Sequence, residues 1–242
     1  IGRIFSIADG KSLTLKNINF INGKAPEVDD EAWGGAIYTQ SGSVTVNNST
    51  FNNNTATGNI GRAGAIYSGS GSVTVTNSTF NNNTATGAID GYGGAIYSIR
   101  GSVTVVDSKF TNCTAKDGGS DIYSSGRVTL MGNKYDNKTT YTSSEVVGSP
   151  IINVVPGTFA DVQLRINITP VNGVLNLPNR KYTANENDTT IKVNKNITIN
   201  GNGAILDADN RFRTMIIGSG VTVSLNNLIF INGNATGDED DG

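Results

Sequence analysis

The sequence predicts an all-β fold: a right-handed parallel β-helix, built as a three-sheet solenoid with one short capping helix. Three observations predict it. The first is repetition. Gly35–Gly58 reads GAIYTQSGSVTVNNSTFNNNTATG and recurs at Gly64–Gly87 with 21 of 24 positions identical at an offset of 29. Self-similarity at a period of this size marks a solenoid, whose repeats bury a core only by stacking. The second is the content of the phrase. Ala65-Ile66-Tyr67, Val73-Thr74-Val75 and Ser78-Thr79-Phe80 are β-branched or aromatic runs parted by Gly, Ser and Asn, and they lack a 3.6-residue period. The third is a set of size-matched columns: Ile37, Ile66, Ile96, Ile122; Val44, Val73, Val103, Val128; Val46, Val75, Val105, Leu130; and Phe51, Phe80, Phe110, Tyr135. Identical neighbours packed face to face require such matching. The handedness rests on the crossover preference of parallel strands.

The elements follow in order. Arg3–Ala25 holds half a rung or more. Residues 34–117 hold the regular rungs, and Gly118–Tyr141 a shorter, degraded one. Pro150, Pro156, Pro170 and Pro178 then crowd together and the rung pattern vanishes, so the chain divides into 1–150, the later part of one β-helix unit, and 151–242, the cap and first rungs of the next. Thr158–Asn167 is the one helix-like stretch. Phe159, Val162 and Ile166 fall on one face and Thr158 is placed to cap it, so that the helix shields a rung edge. Strands resume at Gly173–Tyr182, Thr190–Ile199 and Gly203–Leu206, with Leu175, Leu177, Ile191, Val193, Ile197, Ile199 and Ile205 facing inward.

Two polar columns accompany the rungs. Three residues before each aromatic stand Asn17, Asn48, Asn77, Asp107 and Asn227, with Gly132 in the fifth rung. These types tolerate positive φ, which places the column at a sharp turn. Two residues after each aromatic stand Asn22, Asn53, Asn82, Asn112, Asn137 and Asn232. Strict alternation points this column inward beside the aromatics, as a buried amide ladder. Both columns read as structural.

Composition narrows the function. The chain has 242 residues, a net charge of −2, no histidine and 16% charged residues. It has no basic stripe to suit nucleic acid and no apolar run of transmembrane length. Its single cysteine, Cys113, forbids an internal disulfide and reads as a small buried filler. The first residue is Ile1, so a processed or excised chain is expected, from which a secretion signal has been lost. Arg213–Ala235 aligns without a gap on Arg3–Ala25 at an offset of 210. The simplest reading is a window on a tandem array. The other is a subunit whose last rung stacks on the first rung of the next copy, its ends carrying unpaired strand edges.

Gly-Gly-Ala-Ile at Gly34–Ile37 and Gly93–Ile96, Ala-Gly-Ala-Ile at Ala63–Ile66, and Phe-x-x-Asn at Phe51–Asn54 and Phe80–Asn83 resemble the repeats of chlamydial polymorphic outer membrane proteins. With the TFADVQ stretch and Ile197–Asp207 (ITINGNGAILD), the whole chain is similar to adhesin-like surface proteins of methanogenic archaea. The pattern departs at Gly119-Ser120-Asp121-Ile122, where the Gly-Gly-Ala is lost, and at Cys113, which replaces the last Asn. The resemblance implies an extracellular, cell-surface protein of structural or adhesive type, forming a rod or filament with copies or neighbouring repeats. The competing class is a polysaccharide-binding or polysaccharide-cleaving β-helix.

Cleavage would need carboxylates converging on one strand face, and the outward positions there are Ser, Thr, Asn and Tyr; no catalytic residue is expected. Asp29, Asp30 and Glu31, matched at the 210 offset by Glu239, Asp240 and Asp241, are either a Ca²⁺ site or a solvated acidic loop, with Asp90 and Asp117 in equivalent loops of later rungs. No other cofactor is expected. Tyr38, Tyr67, Tyr97 and Tyr123 form an outward column that either stacks against cell-surface sugars or stiffens the sheet. Eleven Asn-x-Ser/Thr sites occur; Asn47, Asn187 and Asn234 are expected to be the exposed ones that carry any glycan, and those in the inward ladder to be inaccessible.

Overall fold

A computed structural model describes residues 2–235. The chain forms a parallel β-solenoid with one helix, in two compact units, Ile1–Asn153 and Val154–Gly242. In the first unit, sheet A stacks Phe5–Ile7, Ile37–Thr39, Ile66–Ser68, Ile96–Ser98, Ile122–Ser124 and Val146–Val147. Sheet B stacks Leu13–Lys16, Val44–Asn47, Val73–Thr76, Val103–Val106, Val128–Met131 and Ile151–Asn153. Sheet C stacks Asn19–Ile21, Thr50–Asn52, Thr79–Asn81, Lys109–Thr111 and Lys134–Tyr135.

The register is residue on equivalent residue: Ile37↔Ile66↔Ile96↔Ile122, Val44↔Val73↔Val103↔Val128, and Phe51↔Phe80↔Phe110↔Tyr135. The aromatic column stacks face to face, with centroids 4.5 Å apart at Phe20–Phe51, 4.6 Å at Phe51–Phe80 and 4.9 Å at Phe80–Phe110. These spacings are the rung spacing of a β-ladder. The pattern also outlasts the region where the sequence loses it, since Val146 and Ile151 extend the first two columns.

A fourth sheet was not expected. The Asn/Thr/Gly run after each Phe is no mere separator: Thr55–Arg62 and Thr84–Tyr92 are the longest strands of this unit. With Glu31–Trp33 and Thr114–Ala115 they pair in parallel as sheet D, and Glu27–Val28 adds an antiparallel edge. Gly and Asn are poor strand formers, and here pairing with a near-identical neighbour outweighs that preference. The third rung is one residue longer than the second, and a bulge between Gly87 and Asp90 absorbs the difference.

The Gly-Gly-Ala-Ile motif has a steric origin. Its first residue is left-handed at Gly34 and Gly93 (φ +66° and +67°). Its second is held between backbones: a Cβ on Gly64 would stand 2.4 Å from both Gly94 O and Thr84 N.

The two polar columns both prove to be corners. Asn17, Asn48, Asn77, Asp107 and Asn227 have φ between 46° and 59°, and Gly132 takes 65°. The second column requires correction. Asn22, Asn53, Asn82, Asn112, Asn137 and Asn232 are all exposed, with φ between 50° and 67°. A left-handed residue turns the strand, so alternation stops there and the next residue faces inward. The buried ladder is therefore one position on: Gly23, Asn54, Asn83 and Cys113. Asn54 Oδ1 accepts from Gly23 N at 2.9 Å, and Asn54 Nδ2 donates to Asn83 Oδ1 at 2.9 Å. Asn83 Nδ2 donates to Phe51 O at 2.9 Å and reaches Cys113 Sγ at 3.8 Å. The first corner repeats this logic. Ser49, Ser78, Ser108 and Asn133 are buried just after it, and Ser49 N and Ser78 N each donate to the hydroxyl of the next rung at 3.1 Å.

In the second unit, helix α1 (Phe159–Ile168) is N-capped by Thr158, whose hydroxyl accepts from Asp161 N at 3.3 Å. Phe159, Val162 and Ile166 are buried with Leu175, Leu177, Ile191, Val193, Ile197 and Ile199. Ile205 is not among them; Leu206 points inward instead. Asn202, at φ 53°, is again the left-handed residue that shifts the alternation. Asp188 also caps the helix, accepting from Phe159 N at 3.2 Å and Ala160 N at 3.0 Å. Strands Gly173–Asn176, Lys181–Thr183 and Val223–Ile231 all pair with Ile197–Asp207, and Ile191–Val193 pairs with Met215–Ile217.

Replacing Asn83 with Ala removes a buried acceptor and donor and should lower the unfolding free energy by about 2–4 kcal/mol. Asn82→Ala, at an exposed left-handed corner, should cost only about 1 kcal/mol and Asn82→Gly close to nothing. Urea denaturation of the three variants separates the inward position from the outward one.

Candidate functional site

The tyrosine column lies on sheet A, under sheet D. Tyr67 and Tyr97 are buried, and the rings stack on one another at 5.2 Å (Tyr38–Tyr67), 5.6 Å (Tyr67–Tyr97) and 5.2 Å (Tyr97–Tyr123). Trp33 stacks on Tyr67 at 5.1 Å, and the guanidinium groups of Arg3 and Arg62 lie over Tyr38 at 4.5 Å and Tyr97 at 5.5 Å. The column is therefore a second apolar core outside the tube, and the open sugar-stacking platform is absent from its two central rings. Burial, with Tyr38 and Tyr97 as neighbours, pushes the Tyr67 hydroxyl far above its usual range. The sequence reading missed the covering residues. Their signal was present: Trp33, Arg62 and Tyr92 each stand directly before Gly-Gly-Ala-Ile or Ala-Gly-Ala-Ile.

The acidic loop is a hairpin. Asp29 and Asp30, at φ 50° and 67°, join Glu27–Val28 to Glu31–Trp33 in antiparallel pairing. Two left-handed residues are what a two-residue hairpin demands, and Asp is among the few types that supply them. Asp29 and Glu31 share the rim of a hollow of about 380 Å³ with Arg3, Trp33 and Tyr38. Asp90 lies within strand Thr84–Tyr92, and the Asp117 carboxylate accepts from Gly91 N at 2.8 Å. Among the described residues no three His, Cys, Asp or Glu side chains converge as metal ligands. Glu239, Asp240 and Asp241 lie outside the described residues.

The sequons sort differently from expectation. Asn187 is exposed. Asn47 is half-buried, and its Nδ2 donates to Thr76 Oγ1 at 2.6 Å. Asn234 donates from Nδ2 to Asn210 O at 3.0 Å. The corner residues Asn48, Asn53, Asn77, Asn82, Asn112 and Asn137, by contrast, are exposed. At Asn48, Asn53, Asn77, Asn82 and Asn112 the sequon follows from rung geometry: Asn for the left-handed corner, a small inward residue next, and Thr to open the following strand.

The sequence reading passed over one buried carboxyl cluster. Asp121 occupies the core column of Ala36, Ala65 and Ala95, and Glu145 follows it in the next rung, with Asp121 N donating to Glu145 O at 3.0 Å. Burial, reinforced by Glu145 and Asp136 and opposed by Lys138 and Cys113, pushes the Asp121 carboxyl up to about 8. Burial acts to raise Glu145 too. There the Thr142 N–H at 2.6 Å and Lys138 Nζ at 3.2 Å outweigh it, and Glu145 lies below the usual carboxylate range. Cys113 is pushed up to about 12 by burial and by Asp121, so it is a thiol in the ladder and not a nucleophile. In the second unit, Lys181 at 2.6 Å, with Asp209 N and Asn232 Nδ2, holds Asp207 down at about 2.

Comparison with known protein families, with curated proteins and with solved structures finds no match. No helix among the described residues is long and apolar enough to cross a membrane.

Asp121 is protonated when folded at neutral pH and ionised when unfolded. It therefore adds no ionisation cost to folding below its unfolded pKa of about 4, and stability is lost as pH rises from there to about 8. Asp121→Ala, which restores the residue of the other rungs, should leave stability at pH 4 nearly unchanged. At pH 8 it should raise stability by up to several kcal/mol, each pKa unit being worth about 1.4 kcal/mol. Denaturant midpoints of the two proteins between pH 4 and 8 measure the slope.

Proposed function

We propose that the chain is a structural or adhesive module of an extracellular, cell-surface protein, extended end to end by copies or neighbouring repeats of itself. The observation that carries the reading is where the large side chains go. The rings of Phe20, Phe51, Phe80, Phe110 and Tyr135, and those of Tyr38, Tyr67, Tyr97 and Tyr123, engage one another along the stack. Each interior rung is paired on both sides, so a strand is released only with its neighbours. That suits a load-bearing element. The outward strand positions are mostly Ser, Thr and Asn, which keep such an element hydrated without offering a reactive cluster. A polysaccharide ligand would find the two central tyrosines already stacked and buried.

Intact cells that make the protein should present it to a membrane-impermeant biotin reagent. Labelling only after lysis would refute the location. Any glycan on native material should map by glycopeptide mass to Asn187 and the exposed corner asparagines, and not to Asn47, whose amide is engaged in sheet B.

A further inference from the structure

Sheet D fades along the first unit. Its strands run over Thr55–Arg62 and Thr84–Tyr92 and then shrink to Thr114–Ala115. Between Lys134–Tyr135 of sheet C and Val146–Val147 of sheet A there is no such strand, and residues 136–145 cross the gap as a strap.

Two charged residues stand where regular rungs place small ones. Lys138 follows the left-handed corner Asn137, as Asn54, Asn83 and Cys113 follow theirs. Glu145 continues the core column of Ala36, Ala65, Ala95 and Asp121, and its carbonyl accepts from Asp121 N and Ile122 N, both at 3.0 Å. The Glu145 side chain buckles the strap. Its carboxylate accepts from Lys138 Nζ at 3.2 Å near one end and from Thr142 N at 2.6 Å near the other. Between these points Tyr141 lies edge-on to Tyr135, with centroids 5.5 Å apart, and Ser144 O accepts from Ser120 N at 2.9 Å.

Asp121 is buried one rung from the buckle. The groups that act on it are Glu145, Asp136 and Lys138 of the strap and the Cys113 thiol, with the Tyr135 hydroxyl close by. Burial holds the thiol and the phenol neutral. Asp136 is engaged elsewhere, accepting from Asn112 N at 2.8 Å. Among these groups one ammonium therefore serves three carboxyls. While Asp121 keeps its proton, Lys138 is left to Glu145. An ionised Asp121 repels Glu145 and Asp136 and competes for the same ammonium, in a place with no water to solvate it.

We infer that residues 136–145 are a pH-sensitive strap, buckled by Glu145 while Asp121 is neutral and released when Asp121 ionises. Release lets water reach Asp121, which then ionises at its ordinary pKa of about 4. In the closed strap it keeps its proton up to about 8. The ratio of open to closed strap thus rises about tenfold per pH unit between those limits and levels off above them. Glu145, held below the usual carboxylate range, stays charged across that window. The strap is the part of the first unit that yields first as pH rises, whatever the protein's location or partners.

Hydrogen exchange of the full chain, read by mass spectrometry between pH 5 and 8 and corrected for intrinsic rates, tests this. The amides of Ser120, Asp121, Ile122, Thr142, Glu145 and Val146, bonded in the closed strap, should lose protection about tenfold per pH unit. Val73–Thr76 and Val103–Val106, central in sheet B, should stay better protected at every pH. In Asp121→Ala the strap amides should keep one level of protection throughout. Strap amides already unprotected at pH 5, protection that does not change with pH, protection equal to that of the sheet B strands, or the same loss in Asp121→Ala overturns the inference. If Asp121→Ala loses its β-sheet circular dichroism, Asp121→Asn, neutral and of the same size, is read by the same criteria.

Discussion

The fold depends on left-handed residues at the rung corners before and after sheet C. A strand alternates in, out, in, and a solenoid must change direction several times per rung while keeping its apolar residues inside. One residue at positive φ bends the chain and resets the alternation in a single step. Asn at 46° and 54° does this at Asn48 and Asn53, and the small polar residue that follows each one turns inward. That residue would be a liability in an apolar core if it stood alone. It is tolerated because the rung above supplies the same group at the right distance: Asn54 gives its amide to Asn83, and Ser49 N finds the Ser78 hydroxyl. Corner, ladder and column are thus one constraint, and none of them is stable without a neighbouring rung.

Much of this was legible because repetition fixes register. Once Val73 is matched to Val103 and Phe80 to Phe110, the columns follow without any local prediction. The amide columns were legible as columns. Their orientation was not, because alternation was carried through Asn53 as though it were an ordinary strand residue. The positive φ that breaks the alternation is a property of the folded corner, and Asn alone announces it only as a tolerance. Ile205 and Leu206 repeat the same error after Asn202. Sheet D was missed for a different reason. The strand Thr84–Tyr92 contains Gly87, Asp90 and Gly91, which intrinsic preference assigns to a loop, and it exists because Thr55–Arg62 lies beside it in register. Alternation alone puts the tyrosines on the outward side of sheet A. With sheet D above them, the same positions became interior.

The irregular residues have their own logic. A stack of near-identical rungs is poorly protected against slipping by a whole rung, since every column would still match. Departures from the repeat remove that degeneracy. The extra residue bulged near Gly87 distinguishes the third rung from the second. Cys113 replaces the last amide of the ladder, and Asp121 replaces alanine in the core column. These are the places where the resemblance to regular repeats is weakest. Each makes one rung a poor substitute for another, at a cost that the raised Asp121 carboxyl makes visible.

Stacking also limits what the surface can do. Side chains able to bind or react need freedom on at least one face, and in the first unit the rung takes most of that freedom away. The aromatic faces are occupied by other rings, the buried amides by backbone carbonyls and each other, and the thiol by Asn83 and Thr111. The exposed asparagine corners are set by the backbone they bend.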